Sequence, residues 1–260
     1  MEHSRTDSAV RAAVPGPRPA HGGPLDRDRA GDPDDADPDA GGHLAPTRPP
    51  GRGPVAPVRH CVRDQVLAAL RGALADGDLR PGEVHSAPQL AVRWGVSAGP
   101  VREAMHQLMS EGTIEAVPNR GFRICGLTAR DLAELAELRA ALEVPAITAL
   151  ARDLPPAHWA GLRPLADVAV TAAGLGDGAA YAEADLAFHR ELLAPAGNRQ
   201  LVAVTQHLHR RSQAPVIGRP PRGAADLLAD ALEHGALLDA LASGSPDRVE
   251  RMAREHLTGC

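Results

Sequence analysis

The chain has 260 residues, 43% of them hydrophobic but only 2% aromatic, and a net charge of −5. That length allows one large or two medium domains, whose cores Leu, Val and Ala must fill in place of rings. No apolar run approaches the ~20 residues of a membrane span, the first residues lack a charged-then-apolar secretion pattern, and Cys61, Cys125 and Cys260 show no paired spacing, so a cytoplasmic protein without membrane partners is expected.

Residues 1–57 are rich in Pro, Gly, Ala and Asp, with an acidic cluster from Asp26 to Asp39 and no sustained apolar period. Such a stretch cannot bury enough surface to offset its ordering entropy, and it reads as a disordered tail.

Residues 58–126 form the next unit. Val62, Val66, Leu67, Leu70 and Leu74 have helical spacing, closed by Gly77 and Pro81-Gly82. Ser86 followed by Gln89 reads as a capping box opening a short helix, which Gly95 ends. Ser97 then caps a longer helix that buries Val101, Ala104, Met105 and Leu108 and stops near Gly112. Two helices joined by a tight glycine turn predict a helix-turn-helix. Residues 113–117 and 122–125 alternate around Pro118-Asn119-Arg120-Gly121, which predicts a hairpin, the wing.

With 8 basic and 7 acidic side chains, this unit is the least acidic part of the chain. Its recognition helix presents Gly99, Arg102, Glu103 and His106 outward, and its amino end, capped by Ser97, favours a phosphate. Arg102 suits a phosphate or a guanine edge, and Arg120 and Arg123 on the hairpin suit the backbone or minor groove of double-stranded DNA. Taken singly, each arginine has the alternative of a solvated surface position.

From residue 127 the chain reads as helices throughout. Thr128 and Asp131 start the first, with Leu132, Leu135, Leu138 and Leu142 on its apolar face and Pro145 inside it, where a kink is expected. Others run near 156–172, 178–194, 198–212, 223–243 and 246–258. Arg139 shares the apolar face of the first helix. It is shaped either to hold a carboxylate in two hydrogen bonds or to pair with an acid on another helix. Asn198 reads as a helix cap, and His207 and His209 lie off the stripe set by Leu201, Val204 and Leu208.

Asp185 and His189 stand one turn apart on the face that also carries Tyr181, Phe188 and Leu192. His234 shares a stripe with Leu227, Ala231, Leu238 and Leu241, and His256 one with Val249, Met252 and Ala253. A buried carboxylate needs a partner. Three inward imidazoles and one inward carboxylate make a ligand set for one divalent metal ion, the alternative being that each histidine is an ordinary core residue bonded to a carbonyl.

Gly-Asp-Leu-Arg-Pro-Gly (77–82), Leu90-Ala91, Gly95-Val96-Ser97, Pro100-Val101-Arg102-Glu103-Ala104, Glu111-Gly112 and Arg120-Gly121-Phe122 together resemble the DNA-binding domain of GntR-type bacterial regulators. Arg139 with Glu143, Asp185 with His189, Gly197-Asn198, Glu233-His234 and His256 resemble, in order, the effector domain of the FadR-like branch, the FCD type. The resemblance implies a mainly α protein, with a winged helix-turn-helix over 58–126 and an all-helical bundle over 127–260. It further implies a homodimeric repressor or activator. Zinc, with nickel or manganese as alternatives, is expected on Asp185, His189, His234 and His256, beside a small organic-acid or sugar-acid effector held by Arg139. The chain departs from the family at Ala98, where an arginine usually follows the capping serine, at residues 84–86, at Pro145, and in a last helix that stops four residues past His256. Two rival readings are a metal-dependent hydrolase, since the same ligands suit hydrolysis, and a regulator whose metal is purely structural.

Overall fold

The computed structural model describes residues 59–259, so the expectation for residues 1–57 lies outside the described residues. The winged helix-turn-helix comes first: α1 (Arg59–Ala75), β1 (Val84–His85), α2 (Ala87–Trp94), α3 (Ala98–Ser110), β2 (Ile114–Val117) and β3 (Gly121–Ile124). Ser86 and Gln89 close the capping box that opens α2, Gln89 Oε1 accepting from the Ser86 amide at 3.0 Å. Gly95 turns the chain at φ 65°, a left-handed conformation that costs glycine little, and α3 begins three residues later. Ser97 stands at the N-cap in extended conformation, although its side chain makes no cap bond among the described residues. One core joins Val66, Leu70, Leu90, Val101, Met105 and Leu108 with the hairpin's Ile114 and Ile124.

The wing has three strands where two were expected. β1 pairs antiparallel with β3, Val84 opposite Arg123 and His85 opposite Phe122, so the sheet order is β1-β3-β2. The unusual Val-His-Ser segment thus supplies an edge strand. Gly121 permits the pairing: a Cβ there would lie 2.3 Å from the His85 carbonyl oxygen.

The helical domain contains α4 (Ala129–Asp153), a 3-10 turn at Pro156–Leu162, α5 (Arg163–Gly174), α6 (Gly178–Leu193), α7 (Arg199–Ser212), α8 (Ala224–Ala242) and α9 (Pro246–Thr258). Thr128 and Asp131 cap α4 reciprocally. Pro145 does not end this helix. It and Ala141, whose carbonyl loses its donor there, are both exposed, so water can satisfy the freed group. The single helix expected over 156–172 divides at Arg163-Pro164, proline favouring the first turn of a new helix. α9 continues past His256 to Thr258, with Leu257 buried and Gly259 closing the helix in left-handed conformation.

Val144, Ile147, Trp159, Phe188, Leu192, Leu237 and Leu241 anchor the helical core. Leu138 was expected inward and is 52% exposed, because α4 turns Ala140, Val144 and Ile147 to the bundle instead. The start of the helical domain is pinned just after the wing, where Leu127 donates its amide to the Pro215 carbonyl at 2.9 Å and accepts from the Ile217 amide at 2.8 Å. Among the described residues, no helix is long and apolar enough to cross a membrane.

Candidate metal centre and DNA-reading face

Four helices direct polar side chains into the bundle: Glu143 from α4, Asp185 and His189 from α6, His209 from α7 and His234 from α8 are all buried. His256 of α9 joins them with a side chain only 7% exposed. The structure brings together all four residues expected to hold a metal. Asp185 Oδ1 lies 3.6 Å from His189 Nε2 and 3.3 Å from His234 Nε2, and His189 Nε2 lies 3.1 Å from His256 Nε2.

Two carboxylates set the tautomers. His189 Nδ1 is 3.2 Å from Glu143 Oε2, and His256 Nδ1 is 2.8 Å from Glu233 Oε2. An ionised carboxylate only accepts, so each ring carries its proton on Nδ1 and turns an Nε2 lone pair inward. Two such lone pairs 3.1 Å apart repel unless a cation lies between them. His234 Nε2 lies 3.3 Å from Asp185 Oδ1, close but misaligned, and neither of its buried ring nitrogens has a hydrogen-bond partner among the described residues. Ligand atoms ~2.0–2.1 Å from a tetrahedral ion stand about 3.4 Å from one another. Three of the six separations among the four residues, 3.1, 3.3 and 3.6 Å, lie near that edge, and the ligand nitrogens of His189, His234 and His256 lie within 4.8 Å of one another, which suits a divalent ion.

The electrostatics agree. Burial, with His209 beside it, pushes His189 well below the usual imidazole value, and burial lowers His234, leaving both neutral and able to donate a lone pair. Burial alone would raise Asp185, but His209 and His234 hold it well below the carboxylate range. Glu143, despite complete burial, is likewise held ionised by His189 and His209.

His209, set aside in the sequence as lying off the stripe, is 1% exposed and central. Its Nε2 donates to Glu143 Oε1 at 2.8 Å, and its Nδ1 lies 3.7 Å from Asp185 Oδ2. Burial and Arg139 oppose its charge, yet the two carboxylates raise its pKa. The inward face of α7 is set by Thr205 and His209, while Val204 is 48% exposed. His207 is exposed, as read. Asn198 caps α7, its side chain accepting from the Gln200 and Leu201 amides.

Arg139 is mostly buried, and its acidic neighbour is on its own helix: Nε lies 3.8 Å from Glu143 Oε1 and has no hydrogen-bond partner among the described residues. A cavity of about 1000 Å³ reaches this group, bordered by Arg139, Tyr181, Asp185, His209, Gln213 and His256. Gln213 donates to Asp185 Oδ2 at 3.2 Å, steadying the oxygen turned away from the imidazole cluster.

On the reading head, Arg102 and His106 are exposed along α3, and Gly99 is half-buried near its start. His106 sets its ring edge-on to Phe122 of the wing at 5.9 Å, which fixes one element against the other. Arg120 is exposed in the wing turn. Arg123 is exposed too, but its Nη1 is held by Glu115 across the hairpin at 2.7 Å. A surface pair of that kind is worth ~0–1 kcal/mol, little enough to exchange for a phosphate.

Residues 62–124 match the family described as "Bacterial regulatory proteins, gntR family", and residues 134–259 match the "FCD domain". The chain is 30% identical over 201 residues to a "Probable D-xylose utilization operon transcriptional repressor" of Paenarthrobacter nicotinovorans, covering 76% of this chain and 87% of that one. It is 39% identical over 83 residues to the "Uncharacterized HTH-type transcriptional regulator YdhC" of Bacillus subtilis (strain 168), across 32% of this chain and 37% of that one. Among solved structures, E. coli McbR/YncC is similar in fold, with a TM-score of 0.57 at 23% identity over 76% of this chain and 94% of that one.

Proposed function

Because the chain belongs to the GntR family of bacterial transcriptional regulators and carries its FCD domain, we propose that a small carboxylate bound beside a divalent ion in its helical domain controls its affinity for operator DNA. Its relatives and both matched domains are regulators and not enzymes, which sets aside the hydrolase reading. The observation that carries the proposal is the convergence of His189, His234 and His256, their ligand nitrogens within 4.8 Å of one another, with Asp185 Oδ1 3.3–3.6 Å from two of them.

Asp185, His189, His234 and His256 would hold the ion, zinc being the natural choice for three imidazoles and a carboxylate. An ion so held would admit the effector's carboxylate by expanding beyond its four protein ligands. Arg139, with its buried Nε unpartnered, would take that carboxylate's second oxygen and orient it in the cavity. Glu143 and Glu233 keep the His189 and His256 protons on Nδ1. His209 balances Glu143 and Asp185. An organic acid or sugar acid fits this chemistry. The purely structural role predicts that no carboxylate binds metal-loaded protein, and calorimetry with a panel of small acids separates the two.

In this reading Ser97, Gly99, Arg102 and His106 face the major groove, with Arg120 and Arg123 on flanking phosphates. The test is a DNA-binding selection at stated salt, with and without chelator, since affinity has no meaning without the salt. Arg102→Ala should weaken binding to the selected site by ~1–3 kcal/mol and relax one base position. Arg120→Ala should weaken binding evenly across sequences and reduce the salt slope by about one. An unchanged motif for Arg102→Ala would remove Arg102 from base reading.

Two reading heads require two chains. Leu138 of α4 and Val204 of α7 are exposed, Leu135, Leu142 and Leu208 are half-buried, and α4 packs against α7. We assign this apolar seam to a second copy of the chain, forming a homodimer that acts as a cytoplasmic repressor. Leu138→Arg should shift the protein to monomer in sedimentation equilibrium while leaving its helical content intact. A variant that stays dimeric at wild-type concentrations would place the interface elsewhere.

A further inference from the structure

The recognition helix ends on a charge of the wrong sign. Glu111 is the C-cap of α3 and is only 5% exposed, whereas the carbonyl end of a helix disfavours an acid. A buried carboxylate also needs counter-charge to offset its desolvation. Arginines from two domains supply it. Arg71 of α1 donates from Nη2 to Glu111 Oε1 at 2.8 Å, and Arg210 of α7 holds its Nε 3.7 Å from the same oxygen. Gln107, one turn back on α3, adds a bond of 2.8 Å. The two arginines meet again on Glu183 of α6, where Arg71 Nη1 reaches Oε1 at 2.7 Å and Arg210 Nη1 reaches it at 2.9 Å. The four side chains close a ring of alternating charge drawn from α1, the end of α3, α6 and α7.

The neighbours of these residues point the other way. Glu183 lies two positions before Asp185, and Arg210 directly follows His209. Within two residues on α6 and at adjacent positions on α7, each helix sends one side chain into the candidate metal centre and one into the ring. The next residue, Arg211, covers the end of α3, with its Nε 3.4 Å from where a Cβ on Gly112 would sit. α3 itself has 13 residues, about 20 Å at 1.5 Å per residue, so a small rotation about Glu111 is magnified at Ser97 and Gly99.

We propose that the Arg71–Glu111–Arg210–Glu183 ring is a coupling latch, through which occupancy of the helical-domain site sets the orientation of the recognition helix. The inference rests on the regulator reading above for what occupies the site, but the latch itself is defined by contacts that need no ligand. A shift of α6 or α7 at Asp185 and His209 displaces Glu183 and Arg210, and Arg71 and Glu111 must follow or lose Glu183 and Arg210 respectively, leaving the buried Glu111 with Arg71 and Gln107 alone. Each domain keeps its own buried core and the pairing of Leu127 with Pro215 and Ile217 still pins the linker, so breaking the ring should uncouple the domains without unfolding either.

The test is hydrogen exchange on the full chain, with zinc alone as the probe and native mass spectrometry to count bound ions. In metal-free protein, Glu183→Gln should speed exchange at the last turn of α3 and around Arg71 by roughly tenfold, as expected when local stability falls with loss of a partly buried ion pair. Exchange in α8 and α9 should not change. Zinc should slow exchange at the end of α3 in the wild type but not in Glu183→Gln, although both bind one ion. Because Glu183 is close to Asp185, Arg71→Gln on the far side of the ring must give the same loss. Unaltered α3 exchange in both metal-free variants, or zinc protection that reaches α3 through either broken ring, would overturn the latch. Failure of the wild type to bind zinc would instead count against the metal reading, with the metal-free comparison still deciding the ring.

Discussion

His189→Ala is expected to abolish the stabilisation that zinc gives the wild type. A ligand that binds only the native state, at a thousand times its Kd, adds ~4 kcal/mol. For a chain of this size that raises the melting midpoint by roughly 8–16 °C. His189 makes the closest approach of the cluster, with Nε2 3.1 Å from His256 and 3.6 Å from Asp185, and is fully buried. Without it the remaining ligands lose both their third nitrogen and the ring that stacks on His256 at 6°. Scanning calorimetry with zinc and with chelator should therefore show a large midpoint difference for the wild type and none for His189→Ala. His209→Ala, which removes a neighbour and not a ligand, should keep most of the difference. An equal zinc shift in His189→Ala would put the ion elsewhere.

Glu143→Leu should be the most damaging single change in the metal-free protein. Glu143 is 0% exposed and accepts from His189 at 3.2 Å and from His209 at 2.8 Å, with Arg139 alongside. Removing one member of a buried charged network leaves the others desolvated and unpaired, at a cost of about 3–5 kcal/mol. Urea denaturation reads this directly, and a loss under ~1 kcal/mol would mean that His209 is neutral and the network weakly charged. The same carboxylate gives a pH signature. Its native pKa is held below the ordinary 4.5 by His189 and His209, which outweigh its burial. Its stabilisation is therefore complete above that value and is lost as pH falls through the native one. Asp185 acts in the same sense. In chelator, wild-type stability should drop below pH 4.5 more steeply than that of Glu143→Gln, which has no proton to take up there.

How far such a site is legible before folding depends on how its residues are signalled. Asp185 and His189 were visible because a carboxylate and an imidazole one turn apart interrupt an otherwise apolar stripe, and His234 and His256 interrupt two more. The helix-turn-helix was legible from local chemistry alone: the Ser86 box, the left-handed Gly95 and the capped starts are written in adjacent residues. His209 was not. On α7 the apolar residues Leu201, Val204 and Leu208 suggested the inward face, whereas the chain buries Thr205 and His209 and turns Val204 out. A polar face can be buried when every group has a partner, as Thr205 has in the Leu201 and Val202 carbonyls and His209 has in Glu143. The signal available was charge balance, because two inward acids, Glu143 and Asp185, call for a cation among the remaining helices. Glu233, Gln213 and the Arg71–Glu111–Arg210–Glu183 ring depend on contacts between residues distant in the chain, which no local pattern encodes. β1 is a similar case, since two residues become a strand only because β3 lies beside them.

X-ray absorption at the zinc edge of stoichiometrically loaded protein measures the coordination shell most directly. Three imidazole nitrogens and one carboxylate oxygen at ~2.0–2.1 Å, with the multiple-scattering pattern of histidine rings, are predicted. A spectrum showing sulfur ligands, or fewer than two imidazoles around the ion, would contradict the assignment of Asp185, His189, His234 and His256.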